Sequence, residues 1–226
     1  MSSNIFIICG YGVPKDILKD ENYTFYLKTV FNTLYDIAEK TKPAKNYVIF
    51  SGGKTDCFKP YTRTEAGEMI RFFTAYLATK RYLKDFTRDL IVLSEKRALS
   101  TLENFIYTKA ILDKRAIGGC LYIFCEKTRE TRVKILAKKV FNNKHVSVFA
   151  VDFDTSPNRY LDPAFLAKKE KKMLAFDLWA LENANNFKKY HALYKKRMAY
   201  FRRAEPKHHT EAVRTWWEEE IGKAIT

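Results

Sequence analysis

Ile5-Phe6-Ile7-Ile8-Cys9-Gly10-Tyr11-Gly12, residues 5–12, runs five apolar side chains straight into a Gly-Tyr-Gly turn. A run this short, apolar at every position and without alternation, reads as a strand buried on both faces, the kind found in parallel sheets. The arrangement returns four times along the chain. Residues 47–50 lead into Ser51-Gly52-Gly53, and residues 90–93 lead into Glu95 and then Ser100-Thr101-Leu102-Glu103-Asn104. Residues 121–125 are followed by Arg129 and Arg132, and residues 146–151 by Asp152 and Asp154. In an open parallel sheet the carboxyl ends of the strands lie along one edge, where such sheets bind ligands. Five polar clusters, each following a strand, are therefore expected to meet in one crevice.

Between the runs the period changes from strand to helix. Residues 25–40 carry Val30, Phe31, Leu34, Ile37 and Ala38 at the spacing of one helical face, and Pro43 closes the stretch. The same spacing predicts helices over 64–78 (Met69, Phe72, Phe73, Tyr76), 101–113 (Phe105, Ile106, Ile111, Leu112) and 130–141 (Val133, Ile135, Leu136, Val140). Strand and helix in alternation predict an α/β fold: a three-layer, doubly wound, mainly parallel sheet of about five strands with right-handed crossovers, over residues 1–155. From Ser156 the strand signals stop, and residues 156–226 read as a basic helical extension. Leu166, Met173, Leu174, Leu178 and Leu181 suggest one helical face, and Phe187, Tyr190, Tyr194, Met198 and Phe201 another. Pro206 separates a last segment with Trp216 and Trp217. Lys188-Lys189, Lys195-Lys196 and Arg202-Arg203 recur every seventh residue, which places them in a stripe opposite the aromatic one. That stripe suits either a solvated face or an anion-binding surface.

The chain has 226 residues, enough for a core of ordinary size, and a formal net charge of +15. That charge favours anionic partners: nucleotides, nucleic acid or an acidic membrane surface. No apolar run approaches the roughly 20 residues that span a bilayer, and no secretory signal precedes the first strand, so a cytoplasmic location is expected. The four cysteines form no framework. Cys9, Cys120 and Cys125 lie in or beside strand runs as small hydrophobes, and Cys57 lies in a loop. No nucleophile elbow, Walker loop or zinc signature is present, and the sequence names no cofactor and no metal ligands. His208-His209, in the polar tail beside Pro206, reads as solvent-facing.

Gly10-Tyr11-Gly12, Ser51-Gly52-Gly53, Thr64-Glu65-Ala66 with Met69, and Glu95 followed by Ser100-Thr101-Leu102-Glu103-Asn104 together resemble the signature of the YdcF/SanA/ElyC family of bacterial proteins, the domain-of-unknown-function family numbered 218. Order and spacing agree over about residues 4–154. The resemblance implies a three-layer Rossmann-like fold with a pocket lined by these motifs, and no settled reaction; some members are linked to cell-envelope upkeep. Two departures stand out. After the fourth strand the family usually shows Thr, then His and, three residues later, Arg, where this chain has Cys125, Arg129 and Arg132. An Arg stays protonated at ordinary pH and cannot carry a proton as His does. Many relatives also carry membrane helices ahead of the domain, and none is read here.

Each motif also has a structural meaning. Ser100-Thr101-Leu102-Glu103 has the form of a capping box, in which Ser takes the N3 amide and Glu reaches back to the N-cap amide; Thr62-Arg63-Thr64-Glu65 has the same spacing. The glycines either permit tight turns or let the backbone approach a phosphate. Arg129 and Arg132, at a helix start, oppose the dipole unless an anion binds between them or Glu126 or Glu130 pairs with them. Asp152 and Asp154 either hold a ribose hydroxyl or a metal, or simply end a strand. The functional expectation is a phosphate-bearing or nucleotide-like small molecule bound at the strand ends, with hydrolysis or group transfer at phosphate if there is catalysis. Amides of Gly10, Gly12, Gly52 and Gly53 would cradle the anion, Arg129 and Arg132 neutralise it, and Asn104 orient it. Ser51, Glu95, Ser100 and Thr101 would line the pocket, with Glu65 or Glu103 as general base. The alternative is a non-catalytic ligand sensor or an RNA-associated module using the basic helices.

Overall fold

β1 (Ser3–Cys9), β2 (Asn46–Ser51), β3 (Leu90–Glu95), β4 (Gly119–Glu126) and β5 (Val146–Val151) form an all-parallel sheet in the order β3-β2-β1-β4-β5. The central strand is apolar from Ile5 to Cys9 because both of its faces are covered there: Ile5, Phe6, Ile7, Ile8 and Cys9 are all buried. The computed structural model describes residues 3–80, 84–142, 145–153, 163–204 and 209–224, and the chain divides into two units, residues 1–153 and 154–226.

In the first unit, α1 (Glu21–Thr41) and α2 (Glu65–Ala78) pack on one face of the sheet, and α4 (Thr101–Lys114) and α5 (Glu130–Phe141) on the other; α3 (Lys84–Arg88) is a short turn before β3. This is the three-layer, Rossmann-like α/β architecture the alternating periods predict. The chain winds outward from β1 through β2 to β3, then returns to the other side for β4 and β5. The winding therefore reverses between β1 and β4, the place where ligands bind in open α/β sheets.

The helix starts differ from the sequence reading in instructive ways. α1 begins four residues earlier than its apolar stripe, because Asp20 caps it by accepting the Tyr23 amide at 2.8 Å. α2 is capped by Thr64, which accepts from Gly67, and not by a box from Thr62 to Glu65. Glu65 thus becomes the first helical residue, its side chain released for other contacts. β3 continues through Ser94 to Glu95, so Glu95 ends a strand and does not open the following loop.

Tyr26, on α1, joins the two strands at the reversal. Its buried hydroxyl lies 3.0 Å from the Cys9 carbonyl and 3.2 Å from the Phe124 carbonyl, and donates between them.

The second unit contains α6 (Pro163–Glu182), α7 (Ala184–Arg203) and α8 (His209–Ala224). Tyr190, Tyr194 and Met198 are buried as expected, and Phe187 and Phe201 are half-buried. In α6 the buried face is Leu166, Met173, Phe176, Asp177 and Ala180, while Leu174, Leu178 and Leu181 are only half-buried. The helix is turned from the expected leucine face because Asp177 goes inward, where its Oδ1 accepts from Tyr190 at 2.6 Å. Asp154, Ser156, Pro206 and His208 lie outside the described residues. Among the described residues no helix is long and apolar enough to cross a membrane.

Tyr26→Phe removes the hydroxyl at the reversal and leaves two buried carbonyls short of a donor. A loss of about 1–3 kcal/mol is expected in urea unfolding, with secondary structure by circular dichroism unchanged.

Candidate functional site

The sheet register sets the site. Cys9 pairs with Ser51 and Ser51 with Glu95, so these three residues stand side by side at the carboxyl edge of β1, β2 and β3. Ser51 is fully buried. Its Oγ lies 3.2 Å from Glu95 Oε2 and 3.4 Å from the Asn104 carbonyl, and accepts from Thr108 Oγ1 at 3.4 Å. Glu95 accepts the amides of Arg97 at 2.6 Å and Ala98 at 3.2 Å, so its carboxylate folds the turn after β3. Burial raises the Glu95 pKa above the ordinary glutamate value, outweighing those hydrogen bonds. Asn104, on the first turn of α4, is 3% exposed; its side chain hydrogen-bonds Cys9, and its Oδ1 has no hydrogen-bond partner.

The glycine loops do not form the expected anion cradle. Gly10 donates to the Ser51 carbonyl at 3.2 Å, Gly52 to that of Glu95 at 3.1 Å and Gly53 to that of Ala98 at 2.7 Å. Three of the four amides thus extend the hydrogen bonding of the sheet beyond its strands. The start of α2 is likewise engaged, since the amides of Glu65 and Ala66 donate to the carbonyls of Gly53 and Gly52. Gly12, at φ +127°, differs from the other three in having open space where a Cβ would stand.

What the glycines provide is room for Glu65. A Cβ on Gly10 would overlap its Oε2, and one on Gly52 would lie 2.5 Å from the same oxygen. Glu65 accepts from Thr55 Oγ1 at 2.6 Å and is 7% exposed. The loop that presents it is held by a pair the sequence reading missed. Arg63 meets the buried Asp56 in a fork, Nε to Oδ2 at 2.9 Å and Nη2 to Oδ1 at 3.0 Å, while its Nη1 reaches the carbonyls of Pro14 and Lys15. The only sequence cue to the pair was an acid and an arginine in one short, proline-bearing loop.

Ser100 caps α4 by accepting the Glu103 amide at 3.1 Å, as the capping box predicts. Glu103, fully buried, reaches one residue further back than such a box requires and accepts from Leu99.

Arg129 and Arg132 stand at the start of α5, where the sequence asks for an anion or for a Glu126 or Glu130 partner. Both are buried, at 6% and 7%. Arg129 ends a 3₁₀ turn, Lys127–Arg129; its Nη1 donates to the Gly10 carbonyl at 3.1 Å, and its Nε lies 3.3 Å from Glu126 Oε2. Its Nη2 has no hydrogen-bond partner. Burial works against the charge, but Glu126 together with Cys125, Cys9 and Tyr26 outweighs it and raises the guanidinium pKa above its ordinary value. Glu130, the other sequence candidate for that pairing, is taken by Lys127 and Lys134, whose hydrogen bonds lower its pKa to about 2. Arg132 Nη2 donates to Thr101 Oγ1 at 2.5 Å. The amino end of α5 has no side-chain cap.

The buried set thus joins the ends of four strands: Arg129 touches Gly10, Gly10 and Gly52 frame Glu65, and Ser51 links Glu95 to Asn104. Its interior holds Glu65, Glu95, Glu103 and Glu126 with Arg129 and Arg132, while exposed Lys15, Lys54, Lys96, Arg97 and Lys127 lie on the surrounding loops. Burial pushes the thiols of Cys9 and Cys125 up to about 12, so neither is a thiolate nucleophile at neutral pH. Asp152 is exposed after β5. Among the described residues no three His, Cys, Asp or Glu side chains converge to hold a metal ion.

No family model and no curated protein matches the sequence. Among solved structures, the chain is similar to the bacteriophage T5 flap endonuclease in a pseudo-enzyme–product complex with DNA and metal ions, at 12% identity and a TM-score of 0.30, over 98% of this chain and 96% of that one. It is also similar to a T5 protein co-crystallized with metal ions, at 12% identity and 0.31, over 99% and 100%. A likeness at this level speaks for neither a shared fold nor a shared chemistry.

Arg129→Ala is expected to destabilise the fold by about 3–5 kcal/mol in urea, because it removes the buried guanidinium that faces the Glu126 carboxylate and holds the Gly10 carbonyl. For Glu95 the linkage has a definite sign. Its folded pKa lies above the unfolded value of 4.5, so the native state holds the proton more tightly and stability falls as pH rises from 4.5 through the folded pKa. Gln keeps the carbonyl oxygen for Arg97 and Ala98 and offers an N–H to Ser51. Glu95→Gln should therefore gain on the parent as pH rises, seen as urea midpoints that diverge as pH climbs above 4.5; a constant gap would contradict the assignment.

Proposed function

We propose that the first unit is a YdcF-like, cytoplasmic domain that binds a phosphate-bearing, nucleotide-like small molecule where β1 and β4 part, and hydrolyses or transfers its phosphate. The observation that carries this reading is Arg129: a buried guanidinium at the reversal of the sheet, with Nη2 unpartnered, beside the uncapped amino end of α5. A planar cation next to helix amides suits a phosphate group. Gly12, at the open turn after β1, supplies close backbone approach, and Asn104 Oδ1 supplies an acceptor for a donor on the ligand. The exposed cations on the surrounding loops attract an anion to the edge.

In hydrolysis, Glu65 takes a proton from water as the water oxygen bonds to phosphorus; the bond from phosphorus to the leaving oxygen breaks, and that oxygen departs with its electron pair and is protonated from solvent. Family membership, a bacterial origin and a link to the cell envelope belong to the same proposal and rest on the motifs of residues 4–154. A non-catalytic sensor would use the same residues for binding and leave Glu65 without a proton to move.

Nucleoside diphosphates and inorganic pyrophosphate are suitable probes. One that binds should, at a hundred times its dissociation constant, stabilise the unit by about 2.7 kcal/mol, a melting shift of roughly 5–10 °C. Arg129→Lys keeps a cation beside Glu126 but loses Nη2, so the shift should shrink while the unliganded melting temperature stays near the parent's. Glu65→Gln should retain the shift and lose phosphate release. An undiminished shift in Arg129→Lys overturns the site; a shift with no phosphate released by the parent replaces the enzyme with the sensor.

A further inference from the structure

α7 is a 20-residue helix with seven Lys and Arg and no Asp or Glu. On an ordinary solvated helix such charges are offset by acids three or four residues away. Here Lys188, Lys189, Lys195 and Lys196 are all exposed, and none has an ion-pair or hydrogen-bond partner among the described residues. Their spacing keeps them together. Seven residues advance the helix by about 10.5 Å and turn the face by only about 20°, so the pairs at 188, 195 and 202 follow one line about 22 Å long.

The rest of the helix is already committed. Tyr190, Tyr194 and Met198 pack toward α6, through Tyr190 to Asp177 at 2.6 Å and Tyr194 to Met173 Sδ at 3.8 Å. Arg197 belongs to the packing as well, stacked on Tyr194 at 4.2 Å and near Trp217 at 5.7 Å. A helix that binds a membrane surface needs its apolar side for the acyl boundary. In α7 most of that side is spent on α6, and what remains outward is a line of cations with a single large exposed hydrophobic, Tyr200, beside it among the described residues. Such a surface matches a partner whose negative charges are themselves in line.

We propose that this outer face of α7, centred on Lys188, Lys189, Lys195 and Lys196, binds the phosphodiester backbone of RNA without reading its sequence. Binding is independent of the small-molecule site and rests on counterion release, so it weakens steeply with salt.

The test uses the full chain and a fluorescein-labelled 20-nucleotide single-stranded RNA, with affinity measured from about 50 to 200 mM salt. Replacing Lys188, Lys189, Lys195 and Lys196 by Gln should flatten the slope of log affinity against log salt by about 0.7 for each lost phosphate contact, roughly 1.4 to 2.8 for two to four contacts. A variant with the same change in charge elsewhere, Lys28, Lys40, Lys138 and Lys139 to Gln, should keep the parent slope. A DNA strand of equal length with the same slope supports backbone recognition. No RNA binding at 50 mM salt, an unchanged slope in the α7 variant, an equal loss in the control, or displacement of the RNA by phosphatidylserine vesicles overturns the proposal.

Discussion

Arg129 keeps a positive charge in the interior at the point where the winding of the sheet reverses, and the carboxyl edge is organised around it. A buried cation requires a counter-charge and hydrogen-bond acceptors. Glu126 provides the first and the Gly10 carbonyl the second, so the turn after β4 is fixed to the turn after β1. Gly10 in turn leaves space for Glu65, and Glu65 fixes the loop after β2 through Thr55. The ends of three strands are thereby held by one chain of polar contacts, with Tyr26 bracing β1 against β4 from below.

This edge is richer in acid than in base inside and richer in base outside. The buried carboxylates are not free charges waiting for a ligand. Glu95 folds a turn, Glu103 caps a helix, and Glu126 neutralises Arg129. Glu65 differs because it borders the glycine turns and retains some exposure, which is why the proposed proton transfer falls to it. The glycine amides are a similar case. In a parallel sheet, loops leaving adjacent strands remain close enough to continue the ladder, and an amide used in this way is unavailable to a phosphate.

The helical unit follows a different logic. Its interior is aromatic and tied by polar contacts, Asp177 with Tyr190 and the buried pair of Lys169 and Glu170 at 3.2 Å. Its charge lies outside, in a line set by the seven-residue repeat. The first unit holds Arg129 and Arg132 in the interior, and the second places Lys188, Lys189, Lys195 and Lys196 in solvent.

Strand burial, the helix faces of the first unit and a mainly parallel sheet were legible in the sequence because each depends on local periodicity: five apolar side chains in a row at residues 5–9 demand cover on both faces, and the stripe from Val30 to Ala38 demands a sheet beneath it. The set of residues at the carboxyl edge was legible for the same reason, since parallel strands bring their ends together whatever follows them. The partner of each residue was not. Whether Arg129 faced solvent, Glu126 or Glu130, whether Thr62 or Thr64 capped α2, and whether the glycine amides stayed open depended on distances between loops far apart in sequence. The fork of Asp56 and Arg63 and the inward turn of Asp177 belong to the same class. Sequence pattern determines which side of an element is apolar, through hydration; the pairing of buried polar groups is decided only when the folded chain brings each donor within about 3 Å of an acceptor.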